Sequence, residues 1–251
     1  MKCSLHCGWL TPRNVYPARA IAPRTQANRI PPYHVTTPYP PATPRLRIVD
    51  LACRRAGRLL FQHLAFDLPP GRLAWVRGHN GRGKTSLLRV VAGLSSPDHG
   101  EVLHDGQPVQ RLRDGDRPPV YIGHANALKD DLSATEALRF LLRLHGRAWD
   151  AATAHAALQR LGLPARHQAP VRTLSQGQRR RVALARLAVE RDPALWILDE
   201  PFDALDADGV VALNGLLADH LTRSGSVLLT SHLPLNAELL HPTCIDLDAH
   251  A

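Results

Sequence analysis

Eight residues constrain this chain more than any others: Gly78-His79-Asn80-Gly81-Arg82-Gly83-Lys84-Thr85. They satisfy G-x-x-x-x-G-K-[ST] at every fixed position. They also lie between a short apolar run, Leu73 to Arg77, and a helix-forming run from Lys84 to about Ala92 that Gly93 stops. A strand, a glycine loop and a helix in that order let backbone N–H groups close around phosphate oxygens, with the positive end of the helix dipole behind them. Gly78, His79, Asn80, Gly81, Arg82 and Gly83 are therefore candidates to bind a nucleoside triphosphate. Lys84 is placed to reach its β- and γ-phosphates, Thr85 to bind Mg²⁺ through its hydroxyl, and Ser86 to add a phosphate contact.

A second run fits the same chemistry. Leu195-Trp196-Ile197-Leu198 is continuously apolar and ends in Asp199-Glu200-Pro201. A buried parallel strand of that kind delivers Asp199 at its tip beside the phosphates, where it can hold Mg²⁺ through water. Glu200 points elsewhere and is the natural general base for the attacking water. Further strands are expected at Leu46–Cys53, Arg58–Leu68, Glu101–His104 with a return strand after Asp105-Gly106, Val120–Ile122 and Val227–Thr230. The stretch of about 125–190 reads as helical. Ser133 and Glu136 form a capping box, with Leu138, Leu141, Leu142 and His145 on one face, and a second helix runs from about Asp150 to Leu161 before Gly162 and Pro164.

The charge balance, 31 Lys+Arg against 22 Asp+Glu, invites a polyanion as partner, but its distribution weakens that reading. Residues 1–44 hold five of the basic residues, none of the acidic ones and nine of the 21 prolines, so the rest carries about +4. We read 1–44 as a Pro/Arg-rich disordered tail, with a true translation start near Leu46 or Val49 as one account of it. No apolar run reaches the roughly 18–20 residues of a membrane-spanning helix, and the four cysteines include no C-x-x-C pair.

Leu174-Ser175-Gln176-Gly177-Gln178 opens the next helix. With it, residues 46–248 strongly resemble the ATP-binding-cassette (ABC) family, whose LSGGQ signature differs only at Gln176. The resemblance implies an α/β fold of the P-loop NTPase type: an ABC nucleotide-binding domain at 45–251 with a RecA-like core, an antiparallel β subdomain and an α-helical subdomain. It implies ATP and Mg²⁺ as ligands, and an ATPase in which Ser175, Gly177 and Gln178 contact ATP held by the opposing subunit of a homodimer. Ala204-Leu205-Asp206 looks like the family's D-loop, with Asp206 at the dimer interface, and Ser231-His232 looks like its switch histidine at the γ-phosphate.

Two positions depart from the family pattern. His124 stands where a Gln usually binds Mg²⁺ and couples to the membrane subunit. The adenine-stacking aromatic is replaced by Arg54 or Arg55, either of which can stack on adenine or remain a solvated strand-end arginine. Tyr121-Ile122-Gly123-His124, Leu128-Lys129, the run Arg179–Arg186 and LWILDEP look like the branch serving cytochrome c maturation and haem export. That implies a CcmB-like transmembrane partner with CcmC- and CcmD-like proteins, release of a haem chaperone, and a peripheral place on the cytoplasmic face of the bacterial inner membrane. Asn126 to Leu144 is the expected contact with the membrane subunit. The alternatives are the ATPase of another ABC exporter, a DNA-acting ABC ATPase and a non-hydrolysing regulator. The DNA-acting class places coiled-coil arms between phosphate loop and signature, whereas Lys84 and Ser175 are only 91 positions apart here, and no nucleic-acid partner is expected. The triplet Arg179-Arg180-Arg181 spans too much of a helix circumference for one phosphate-binding stripe; a partly solvated face or packing near the nucleotide fits it better.

Overall fold

The computed structural model describes residues 43–112, 119–163 and 165–251; all but the last two residues of the expected tail, and Pro164, lie outside them. Strands β1 (Leu46–Arg55) and β2 (Arg58–Leu68) form an antiparallel hairpin in which Leu46 faces Leu68 and Arg55 faces Arg58. Strand β3 (Leu73–Arg77) leads through the glycine loop into helix α1 (Lys84–Val91). Strand β4 (His99–His104) returns along β1, and β5 is only Gln107–Pro108, giving the order β2-β1-β4-β5. The expected return strand is thus cut to two residues; Pro108 has no N–H to extend a ladder.

The second sheet is parallel. Its remaining strands are β6 (Val120–Ile122), β7 (Leu195–Leu198), β8 (Ser226–Thr230) and β9 (Thr243–Asp246), in the order β6-β7-β8-β3-β9. Every residue of β7 and β8 is buried. Trp196 and Leu198 enter one apolar cluster with the helical region, whereas Leu195 and Ile197 enter the other, which fills the space beneath the antiparallel sheet around Phe61 and Leu87. A strand covered on both faces needs apolar residues at every position, which is why its sequence shows no alternation.

Between β6 and β7 lie α2 (Ala134–Leu144), α3 (Ala151–Arg160) and α4 (Gln176–Val189). The capping box is present: Glu136 N–H donates to Ser133 Oγ at 3.3 Å, and Ser133 N–H donates to Glu136 Oε2 at 2.8 Å. Asp150 caps α3, accepting from Thr153 N–H at 2.7 Å. Leu138, Leu141 and Leu142 are buried as their spacing predicts, while His145 sits at the C-cap of α2 with Nδ1 2.9 Å from the Leu141 carbonyl. Helix α5 (Ala207–Thr222), the single turn α6 (Ala237–Leu240) and a 3₁₀ turn at Leu247–His250 complete the chain. No helix among the described residues is long and apolar enough to cross a membrane.

Candidate nucleotide site

The loop Gly78–Gly83 leaves the tip of β3, and its three glycines all have positive φ. Gly83, the N-cap of α1, has φ 104°, and a Cβ there would come within 3.0 Å of Leu60 on β2. The turn is left-handed and packed at once, so only glycine fits. The Lys84 ammonium folds back over the loop and donates to the Gly78 carbonyl at 2.7 Å. A cavity of about 390 Å³ opens above, lined by Asn80, Gly81, Gly83, Lys84, Thr85 and Ser86 on one side and by His124, Asp199, Glu200, Asp203 and His232 on the other. The two sequence motifs therefore meet across one space, although more than a hundred residues separate them.

The tip of β7 is held by its neighbours. Asp199, 2% exposed, donates its N–H to the Ile122 carbonyl at 2.8 Å, and its Oδ1 accepts from Thr230 Oγ1 at 3.0 Å. That same Thr230 oxygen accepts from Glu200 N–H at 2.9 Å. One hydroxyl on β8 thus positions both acids. Glu200 has φ 48°, a left-handed conformation that costs a non-glycine residue about 1–3 kcal/mol. Its Oε2 accepts from His232 N–H at 2.9 Å, and Oε1 lies 3.6 Å from His232 Nε2. Asp199 Oδ2 and Glu200 Oε1 are buried and make no hydrogen bond among the described residues. Buried carboxylate oxygens facing a cavity that also holds the Thr85 hydroxyl are suited to a hydrated Mg²⁺ and an attacking water. His124 is mostly exposed in the same cavity, with Nδ1 3.7 Å from Asp203 Oδ2.

A second group stands apart. Ser175 is the N-cap of α4, in a capping box with Gln178, whose Oε1 accepts from Ser175 N–H at 3.0 Å. The Gln178 side chain is therefore spent on its own helix. Gly177 lies so close to the Ala204 carbonyl that no Cβ fits. Asp206 caps α5, accepting from Gly209 N–H at 2.9 Å, and pairs with Arg181. Ser175, Gly177, Gln178, Arg181 and Asp206 line their own cavity of about 430 Å³, which shares no residue with the phosphate-loop cavity. Of the two arginines at the end of β1, Arg54 gives its backbone N–H to Asp98, while Arg55 lines the cavity beside Asn80 and Gly81.

Three residues that the motifs do not name shape this region. Thr230 is one. Arg180, 3% exposed, is the second: its guanidinium donates to the carbonyls of Gly123 (2.8 Å), Asp199 (2.8 Å) and Glu200 (2.9 Å) and to Asn126 Oδ1 (3.1 Å). Burial pulls it below the usual arginine range, and the carboxylates of Asp203, Asp199 and Glu200 oppose that shift. Of the two expectations for the arginine triplet, a solvated face does not describe the buried Arg180 and Arg181; Arg180 packs against the backbone of Asp199 and Glu200, two acids that line the cavity. Asp248, in the C-terminal 3₁₀ turn, is the third. Its Oδ2 accepts from His79 N–H at 3.0 Å and lies 2.6 Å from His79 Nδ1, and its Oδ1 accepts from Arg82 Nε at 2.7 Å. The side chains of His79 and Arg82 thus turn toward Asp248.

A family model described as "ABC transporter" matches residues 61–203. The cytochrome c biogenesis ATP-binding export protein CcmA of Pseudomonas syringae pv. syringae is 46% identical over 198 residues, covering 78% of this chain and 92% of that protein. The protein of that name from Nitrosomonas europaea is 47% identical over 187 residues, covering 74% and 87%. Among solved structures, an ABC transporter ATP-binding protein from Pyrococcus furiosus superposes with a TM-score of 0.71 at 23% identity, over 82% of this chain and 98% of that one. That likeness speaks for the fold. The family match and the CcmA relatives, taken with a phosphate loop that faces paired acids across one cavity, place this chain in the ABC transporter family of ATPases, among the ATP-binding subunits of the CcmA group.

Proposed function

We propose that this chain is the ATP-hydrolysing subunit of a membrane complex for cytochrome c maturation, acting in haem export or haem-chaperone release. The observation that carries the hydrolytic part is the meeting of Lys84, Thr85, Asp199, Glu200 and His232 around one cavity. Backbone N–H groups of Gly78–Gly83 and the α1 N-terminus receive the phosphates of ATP, and Lys84 leaves the Gly78 carbonyl to follow them. Thr85 and Asp199 would hold Mg²⁺, with His124 lining the same cavity; the ion would supply positive charge to offset that of the phosphates. Glu200 takes a proton from the attacking water, and His232 reports the γ-phosphate through its contact with Glu200.

The separation of Ser175, Gly177 and Asp206 from this cavity supports a homodimer. Within one chain they line a cavity separate from that of the phosphate loop, whereas a second copy facing the first would bring them over its ATP. Closure would exclude water and complete the site, and hydrolysis would reopen it. A groove of about 660 Å³, lined by Arg89, Leu94, His124–Ala127, Leu141 and Leu144, bears exposed Leu94 and Leu144. It suits a CcmB-like transmembrane subunit, with CcmC- and CcmD-like proteins beside it, and would place this chain peripherally on the cytoplasmic face of the inner membrane. Affinity purification of the full chain from detergent-solubilised membranes tests this reading. The expected result is co-purification of a CcmB-like subunit and ATPase activity that rises with it. Recovery of a drug- or lipid-exporter permease in its place would overturn the cytochrome c assignment and leave the ATPase reading standing.

A further inference from the structure

The glycine loop is held from outside its own backbone by an acid 166 and 169 positions away in sequence. Asp248 accepts from the His79 N–H, contacts the His79 ring and accepts from Arg82 Nε, at 3.0, 2.6 and 2.7 Å. These are the second and fifth residues of the eight-residue motif, so one carboxylate grips the loop on both sides of Asn80-Gly81. The grip is itself supported. Leu247 is wholly buried in the core beneath the antiparallel sheet. Asp246 Oδ1 accepts from Asp248 N–H at 2.9 Å, and β9 pairs in register with β3, setting Asp246 opposite Arg77. The Arg82 contact, helped by the weaker His79 contacts and opposed by desolvation, holds the Asp248 carboxyl below the usual carboxylate range. The chain between β3 and α1 contains three glycines with positive φ, Gly78, Gly81 and Gly83. A segment that permissive loses much conformational freedom when it closes on phosphate, unless something orders it beforehand.

We propose that Asp248 is a positioning residue for nucleotide binding: by clamping His79 and Arg82 it pre-forms the phosphate cradle and keeps the Arg82 guanidinium off the phosphates. Pre-ordering a loop raises affinity by removing the cost of ordering it on binding. The effect belongs to ATP affinity, because Asp248 contacts neither Asp199 nor Glu200 and lines a different cavity from theirs. The inference rests on Gly78–Thr85 being the ATP-phosphate loop, so its test carries a control for that reading.

The experiment measures MgATP affinity by calorimetry, and steady-state ATPase kinetics, on the full chain. Asp248→Ala should weaken MgATP binding about tenfold, the scale expected when a cradle is misplaced by a fraction of an ångström. It should raise KM by a similar factor, with the larger part of the rate recovered at saturating ATP. Arg82→Ala should then add little in the Asp248→Ala background, since both variants break one clamp. Asp248→Asn, which keeps the volume and one acceptor, should fall between parent and alanine variant. An Asp248→Ala protein that binds MgATP like the parent, or effects of Arg82→Ala and Asp248→Ala that simply multiply, would overturn the clamp. If Asp248→Ala unfolds, the Asn variant decides: parent-like affinity there also overturns it. Lys84→Ala separates the two readings, because undiminished MgATP binding in that control condemns the phosphate-loop assignment itself.

Discussion

Glu200→Gln should bind MgATP within a few-fold of the parent, accumulate as an ATP-bound dimer and lose hydrolysis by about 10²–10⁴-fold, the span a positioned general base contributes. The substitution is nearly isosteric. Its amide oxygen can still accept from His232 N–H, which reaches the Glu200 carboxylate at 2.9 Å, and the backbone N–H remains on Thr230 Oγ1. What disappears is the lone pair of Oε1, the buried atom with no hydrogen bond among the described residues. Size-exclusion chromatography with and without ATP, alongside phosphate release, checks both halves of the expectation. Hydrolysis at the parent rate would remove Glu200 from the role of base.

Arg180→Met should be the most damaging single change outside the motifs. The guanidinium joins two segments that carry the site, the turn at Gly123–Asn126 and the turn at Asp199–Pro201, and it does so 3% exposed. Methionine fills the space and supplies no donor, so the carbonyls of Gly123, Asp199 and Glu200 lose their buried donor together. Removing one member of such a buried network costs about 3–5 kcal/mol, which for a chain of this size lowers the thermal midpoint by roughly 10 °C. Hydrolysis should fall as well in whatever remains folded, because Glu200 loses a support for its left-handed backbone. Arg180→Lys should recover little of either loss: an ammonium has three donors about one point, whereas these acceptors surround a planar fork. Calorimetric unfolding of the Met and Lys variants measures the loss, and a midpoint within a degree or two of the parent would refute the network's importance.

How far the sequence speaks depends on the kind of signal each residue leaves. The phosphate loop and the tip of β7 were legible because their chemistry demands fixed residues at fixed spacing next to a recognisable strand. The buried strands β7 and β8 were legible as apolar runs. Strand β9 was not. Its residues Thr243, Cys244 and Asp246 are exposed at a sheet edge, so no hydrophobic pattern marks it. Helix α5 also went unread, although Asp206 caps it, because its Gly209 and Gly215 interrupt a helical pattern. Thr230 reads as the last residue of a strand, and only the pairing of β7 with β8 reveals that its hydroxyl sits between Asp199 and Glu200. Arg180 belongs to a basic run that in isolation resembles a solvated face; its burial is set by turns 54 to 57 residues earlier in sequence and 19 to 21 later. Asp248 makes contacts across 166 and 169 positions, a separation at which no local pattern survives.

The two separate cavities have a genetic consequence. In a pair of chains related by a two-fold axis, each site would combine the phosphate loop of one copy with Ser175 of the other. Lys84→Ala copies alone would leave both sites dead, and so would Ser175→Ala copies alone. A mixed pair would gather both lesions into one site and leave the other with an intact Lys84 and an intact Ser175. Co-expression of the two inactive alleles should therefore restore part of the activity, and a single allele carrying both lesions should poison both sites of every pair it enters.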